Sequence, residues 1–154
     1  MDNDIDSLGQ RHRFSWTMAS MQTSKELRHA GSLAGKVIVL LEDDDLVRRA
    51  TERMLRRFGA EVVSGTSSRE VLAAISARNL SPTCVIADYW LTRDEDGLTA
   101  TQAVCEAADS AIPGMIVTGD LSDEVAQRVV GAGFQLLRKP VNVSSFLDAL
   151  GGGV

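Results

Sequence analysis

The 154-residue sequence is poor in several features that mark specialised classes of protein. Its two cysteines, Cys84 and Cys105, have no Cys-x-x-Cys spacing, which argues against a zinc site or a disulfide scaffold and predicts reduced, buried thiols. No apolar run approaches the roughly 20 residues needed to cross a bilayer. The polar start MDNDIDSLGQ is unlike a signal peptide. We therefore expect a cytoplasmic protein that does not enter a membrane.

The sequence also lacks an excess of basic residues. Its 16 Lys and Arg stand against 21 Asp and Glu, which gives a net charge of −5, and the basic residues are scattered. Because nucleic-acid binding draws on clustered Lys and Arg, nucleic acid is not expected as a ligand. With 44% hydrophobic residues, the chain has the composition and length of one globular domain.

The chain divides into a main region with two flanking segments. Residues 1–35 have mixed polarity and read as a tail or linker with a possible short helix at 16–29, and residues 151–154 (GGGV) read as a flexible tail. Residues 36–150 alternate short apolar runs with helical patterns five times, which predicts five β-α units. The predicted strands cover 37–41, 60–63, 83–87, 115–117 and 135–137, and the predicted helices 45–58, 67–78, 98–108, 122–131 and 143–150.

Local signals support several of these helix ends. Gly59 and Gly131 are predicted to end the first and fourth helices, and Ser67 with Glu70 predicts a capping box at the start of the second. The buried face of the first helix is predicted from its helical spacing to be Val47, Ala50, Met54, Leu55 and Phe58.

Polar side chains follow the predicted strands where each strand ends. Five β-α units with right-handed crossovers make a parallel sheet with helices on both faces, and such sheets bind ligands at the carboxyl ends of their strands. The residues at those ends are Glu42, Asp43, Asp88, Thr118 and Lys139. Carboxylates suit Mg²⁺, and a carboxylate beside that ion can attack phosphorus to give an aspartyl phosphate. A hydroxyl and an ammonium would then share the phosphoryl oxygens with the metal.

The four consecutive acids at 42–45 allow two other interpretations. Acids are favoured at helix starts, so Asp44 and Asp45 are expected to cap and begin the first helix. The same stretch also fits the Asp-x-Asp pattern of haloacid-dehalogenase-like phosphohydrolases, with Asp43 as nucleophile and Asp45 as acid. That alternative would leave Asp88 without a role and lacks a late acidic pair, because Asp148 is the only acid after Lys139.

Residues 36–150 resemble a response-regulator receiver domain of two-component signalling, and the loop DYWLTRDEDGL resembles that of receivers in hybrid histidine kinases. The resemblance implies a flavodoxin-like (βα)5 fold with strand order 2-1-3-4-5. It implies that Asp88 is the phosphoacceptor and that Thr118 and Lys139 contact the phosphoryl group. The implied Mg²⁺ ligands are Glu42, Asp43, Asp88 and the backbone carbonyl of Trp90.

The resemblance also implies a function in a phosphorelay. The chain would accept a phosphoryl group from a phosphohistidine of a histidine kinase or phosphotransfer protein, and would then act on a downstream protein. It would not be an enzyme beyond its own Mg²⁺-dependent phosphorylation and dephosphorylation. Periodicity places Leu46, Arg49 and Arg53 on the exposed side of the first helix, where we expect the donor to dock. Leu136 stands where many members carry an aromatic switch residue, so conformational output is expected to be modest or to use another surface.

Overall fold

The computed structural model describes residues 31–151, which form a five-stranded parallel sheet between two layers of helices. The strands are β1 (Val37–Leu41), β2 (Glu61–Gly65), β3 (Cys84–Asp88), β4 (Gly114–Thr118) and β5 (Gln135–Arg138). The helices are α1 (Asp45–Arg57), α2 (Ser68–Arg78), α3 (Gly97–Ala107), α4 (Asp123–Gly131) and α5 (Val143–Gly151). The strand order is β2-β1-β3-β4-β5, as the family resemblance implied. All five helices and five strands were predicted, with ends that differ by one or two residues.

The core has two parts, one on each face of the sheet. Successive residues of a strand point to opposite faces. Ile38 and Leu40 of β1 accordingly lie in the cluster beneath α1 and α5, while Val39 and Leu41 lie in the cluster beneath α2, α3 and α4. Burial on both faces explains why the central strands read as continuous apolar runs in the sequence.

Helix α1 buries the predicted stripe with one change. Thr51 is buried at 1% exposure and donates its hydroxyl to the carbonyl of Val47 at 2.8 Å, whereas Ala50 is only partly buried. The helix ends as predicted, because Phe58 is the C-cap residue and Gly59 follows with φ +105°. That left-handed conformation favours glycine over residues with a Cβ.

Two other predicted helix ends differ in detail. Ser67 caps α2 by accepting from the Glu70 N–H at 3.2 Å, but the Glu70 carboxylate accepts from Thr66 at 2.7 Å, so the bond predicted to return to Ser67 is absent. Gly131 is the last residue of α4, as predicted, but it does not take the left-handed conformation. Gly133, with φ +90°, takes the left-handed conformation that ends the segment.

The packed region begins before residue 36. Leu33 lies in the segment predicted to be a linker, yet it is fully buried, and its N–H donates to the carbonyl of Phe58 at 2.9 Å. At the other end, Gly151 is the last residue of α5, so it does not belong to a tail. The predictions of a helix at 16–29 and of a tail at 152–154 concern residues outside the described range.

The two cysteines differ in burial. Cys84 is buried as predicted, whereas Cys105 is only partly buried. The Cys105 Sγ lies 3.8 Å from the carbonyl oxygen of Ile112. Among residues 31–151, no helix combines the length and the apolar character that crossing a membrane requires.

Candidate functional site

The register of the sheet brings four strand ends to one edge. Asp88 is paired with Val117, and Thr118 with Arg138, so the last residues of β3, β4 and β5 lie side by side. The pairing of Leu41 with Ala87 places Glu42 next to Asp88. Asp88 is the last residue of β3, which extends one residue beyond the predicted strand end at residue 87.

Three carboxyl groups form a cluster at this edge. Glu42, Asp43 and Asp88 each offer an oxygen, and these oxygens lie within 4.8 Å of one another. Glu42 and Asp88 are 3% and 6% exposed, and Asp43 is partly buried. Acids buried to this degree are rare unless they are paired or coordinate a metal.

Lys139 and Thr118 complete the predicted set. The Lys139 Nζ lies 3.3 Å from Asp88 Oδ2, and both side chains are at least nine-tenths buried. Thr118 is fully buried and accepts from the Asp120 N–H at 3.0 Å, while its carbonyl accepts from the Lys139 N–H at 2.9 Å. The structure thus gathers the three acids and Lys139 in contact range and puts Thr118 on the adjoining strand end.

Electrostatics at the cluster favour a bound cation. Burial, followed by the charge of Asp88, raises the pKa of Glu42 to about 8, against the lowering effect of a 3.0 Å hydrogen bond from the Asp44 N–H. Ionisation of all three acids beside one ammonium would leave an excess of negative charge in a small buried volume. Oxygen donors with this excess fit a hard divalent cation such as Mg²⁺.

The remaining acids of the 42–45 stretch have structural roles. Asp44 is the N-cap residue of α1 and accepts from the N–H groups of Leu46 and Val47 at 3.0 and 3.1 Å. Asp45 is 52% exposed and pairs with Arg48 and Arg49 on the helix surface. Asp45 is therefore outside the acidic cluster, which disfavours the phosphohydrolase alternative that needed it as the acid.

The loop between β3 and α3 is fixed at both ends. Gly97 donates to the Tyr89 carbonyl at 2.6 Å, and a Cβ at Gly97 would lie 2.0 Å from the Asp88 carbonyl oxygen. Only glycine permits this close approach of the α3 start to the end of β3. In the middle of the loop, the Glu95 carboxylate accepts from the Ser68 N–H at 2.9 Å, which ties the loop to α2.

Trp90 lies two residues after Asp88, in the loop between β3 and α3. Its side chain is 55% exposed, contacts the ring of Tyr89 edge-on at 4.8 Å, and shares a hydrogen bond with the Asp120 carboxylate. Hydrogen bonds from Ser122 lower the pKa of Asp120, and the bond from Trp90 adds to this effect. The role of the Trp90 carbonyl as a metal ligand stays a prediction.

Sequence reasoning missed two contacts near the site. The contact between Trp90 and Asp120 had a signal in the sequence, because these residues lie two positions after the predicted site residues Asp88 and Thr118. The contact of Tyr89 with Arg128, at 2.5 Å between hydroxyl and guanidinium, had none. Arg128 is an exposed residue of a surface helix, 39 positions away, and no local pattern distinguishes it from other arginines.

Comparisons with known proteins agree with this fold. The chain is 28% identical over 119 residues to ethylene receptor 2 of Oryza sativa subsp. japonica, covering 75% of this chain but only 16% of that protein. Two solved structures share the fold across three-quarters of the chain. A response regulator receiver protein of Burkholderia phymatum is 30% identical, with TM-score 0.60 and coverage of 76% of this chain and 95% of that one.

The second structure is a response regulator of Burkholderia pseudomallei with a phosphorylated aspartic acid, a calcium ion and citrate. It is 27% identical, with TM-score 0.64 and coverage of 75% of this chain and 66% of that one. Finally, the model of the response regulator receiver domain family matches residues 38–151, a span that contains all the described helices and strands except Val37 of β1, together with the acidic edge. The chain belongs to the response regulator receiver domain family.

Proposed function

We propose that this receiver domain accepts a phosphoryl group from a phosphohistidine onto Asp88, in a reaction that requires Mg²⁺. The observation that carries the proposal is the buried acidic cluster of Glu42, Asp43 and Asp88 with Lys139 in contact with Asp88. No structural need accounts for three acids at this edge, because α1 already has its cap in Asp44.

Each side chain has a defined part in the transfer. An oxygen of Asp88 attacks phosphorus, the phosphorus–nitrogen bond of the donor breaks, and the bonding electron pair leaves with the imidazole. The Lys139 ammonium, already 3.3 Å from Asp88, neutralises charge on the phosphoryl oxygens. The Thr118 hydroxyl, at the end of the next strand, would donate to another of these oxygens.

Glu42, Asp43, Asp88 and the Trp90 carbonyl would hold Mg²⁺. When bound, this ion supplies positive charge beside the phosphoryl oxygens and offsets the repulsion among the carboxylates. The phosphorylated aspartate and calcium ion of the Burkholderia pseudomallei response regulator support this proposal, since that protein is a relative at 27% identity.

Fluorescence tests the site directly. Trp90 lies two residues from Asp88, so addition of beryllofluoride in the presence of Mg²⁺ should change its emission, with Trp16 replaced by Phe to remove the background. Asp88→Asn and Asp43→Asn should each abolish the change. Asp45→Asn is the matched control from the same acidic stretch, and it should respond like the parent because Asp45 is exposed and outside the cluster.

Phosphorylation by a small phosphodonor, followed by mass spectrometry of the intact protein, identifies the acceptor residue. The parent and Asp45→Asn should gain one phosphoryl group, and Asp88→Asn should gain none. A phosphorylated Asp88→Asn variant together with an unmodified Asp43→Asn variant would refute the receiver mechanism and would favour the phosphohydrolase alternative.

We further propose that the donor docks beside the site on α1. Leu46 is 63% exposed at the first turn of this helix, and the Arg49 side chain is 70% exposed one turn further on. Phosphotransfer from a phosphohistidine protein should therefore slow in Leu46→Ala, while phosphorylation by a small donor stays unchanged. Val130→Ala, an equally exposed change at 62% on α4, is the control.

A further inference from the structure

Tyr89, the residue after the acceptor, is tied to a helix on the face of the sheet opposite α1. Its ring is 2% exposed, and its hydroxyl accepts from Arg128 Nη1 at 2.5 Å. The guanidinium carbon of Arg128 also lies 5.9 Å from the centre of the Tyr89 ring. Arg128 is in α4, so this contact joins the end of β3 to a helix that follows β4.

The same guanidinium reaches a second element. Arg128 Nη1 lies 3.6 Å from Asp96 Oδ2, while Asp96 Oδ1 accepts from the Thr99 N–H at 2.8 Å and thereby caps α3. The start of α3 lies against the backbone of Asp88 and Tyr89, which leaves no room for a Cβ at Gly97. Arg128 of α4 thus contacts both the end of β3, at Tyr89, and the start of α3, at Asp96. These two elements also contact each other next to Asp88.

Helix α4 is also held by contacts other than those of Arg128. Its buried residues are Val125 and Val129, and Ser122 caps it. Ser122 lies four residues after Thr118, so only a short loop connects the end of β4 to α4. Leu136, at the position where an aromatic was expected, is a partly buried aliphatic residue that cannot form a polar link to α4.

We propose that Arg128 is a positioning residue for Asp88: by holding the Tyr89 hydroxyl and the Asp96 carboxylate, it couples occupation of the Asp88 carboxylate to the placement of α4. This inference rests on the proposed function of Asp88 as phosphoacceptor. Coupling of this kind is reciprocal, so if occupation of Asp88 alters the placement of α4, loss of the Arg128 contacts must alter the affinity for a phosphoryl analogue.

Beryllofluoride with Mg²⁺ is the probe, and the experiment uses the full chain. Affinity is measured by Trp90 fluorescence in the Trp16→Phe background, and hydrogen exchange of residues 123–131 reports on α4. Tyr89→Phe keeps the ring and removes only the acceptor of the bond, while Arg128→Gln removes the guanidinium. Arg69→Gln, an exposed arginine of α2, is the control for loss of a positive charge.

We expect Tyr89→Phe and Arg128→Gln each to weaken beryllofluoride binding by about five- to twentyfold. The double variant should be no weaker than the weaker single one, because both remove the same contact. Arg128→Lys should recover part of the loss, and Arg69→Gln should bind like the parent. In the parent, beryllofluoride should change exchange protection across α4, and in the single variants this change should disappear.

Three results would overturn the inference: unchanged or tighter binding in Tyr89→Phe, additive losses in the double variant, or an α4 exchange response that survives the loss of the contact. Failure of the proposed function gives a different result, namely a parent chain that binds no beryllofluoride with Mg²⁺. That result would remove the proposed function together with the inference, whereas the other three would leave Asp88 as the acceptor.

Discussion

Replacing Glu42 with glutamine should stabilise the protein in the absence of divalent metal. The Glu42 side chain is 3% exposed and lies among Asp43 and Asp88, and burial with the charge of Asp88 raises its pKa from 4.5 to about 8. Glutamine has nearly the same shape, carries no charge, and keeps an oxygen to accept the bond from the Asp44 N–H.

The sign of the pH dependence follows from proton binding. With its pKa raised on folding, Glu42 holds its proton more tightly in the folded chain than in the unfolded chain. Its contribution to stability is therefore fully present below pH 4.5 and is lost as the pH rises through 8. Stability of the parent should fall across this window relative to Glu42→Gln, and the two curves should converge towards acidic pH.

The size of the effect has an upper bound. Each pKa unit corresponds to about 1.4 kcal/mol, so a rise from 4.5 to about 8 is at most about 5 kcal/mol above pH 8. Burying the glutamine amide without new partners offsets part of this gain, and we expect a net gain of about 2 to 3 kcal/mol at pH 8.

Urea unfolding followed by circular dichroism, at intervals from pH 5 to pH 8.5 in EDTA, measures both curves. Mg²⁺ at a hundredfold excess over its dissociation constant should then stabilise the parent by about 2.7 kcal/mol and Glu42→Gln by less. Parallel pH profiles for the two proteins would refute the reasoning, because they would show that Glu42 ionises as easily in the folded chain as in the unfolded one.

Two substitutions and one chemical modification test the packing and the reactivity of the chain. Leu33→Ala should lower the free energy of unfolding by about 2 to 4 kcal/mol in urea titrations, since Leu33 is fully buried, whereas an exposed linker residue would cost nothing measurable. Gly97→Ala should cost about 3 kcal/mol or more by the same measurement and abolish the beryllofluoride response, because its Cβ would overlap the Asp88 carbonyl, and a fully active variant would contradict this. In the native protein at pH 8, a thiol reagent should modify Cys105 well before Cys84, whose pKa is raised to about 11 by burial, and equal rates would contradict the described burial.

The candidate site was predictable from sequence because topology constrains it. In a parallel sheet the carboxyl ends of all strands meet at one edge, so finding the strands also finds the residues that follow them. An error of one residue at a strand end, as at Asp88, leaves its side chain at the same edge. The approximate strand boundaries of the sequence analysis were therefore sufficient to assemble Glu42, Asp43, Asp88 and Lys139.

Contacts between distant surface positions were not predictable in this way. Arg128 meets Tyr89 because α4 packs beside the β3–α3 loop, and its helical periodicity shows only that it is exposed. Leu33 was missed for a related reason. A single apolar residue between glycines has no periodicity, and its burial depends on how the chain enters β1 beside the end of α1.

The four acids at 42–45 acquire different roles because the backbone changes from strand to helix among them. Glu42 still donates its N–H to the Gly65 carbonyl of β2 at 3.0 Å, so the sheet holds its side chain in the buried edge. Asp44 has the extended backbone of an N-cap, with φ −81° and ψ 118°, and Asp45 begins the helix and faces solvent. Asp43 lies between Glu42, whose backbone is bonded to the sheet, and Asp44, which caps the helix. Within this stretch only Glu42 and Asp43 thus share the buried cluster with Asp88, and a divalent cation at that cluster would offset the repulsion between the charges of Glu42 and Asp88 without altering the cap of α1.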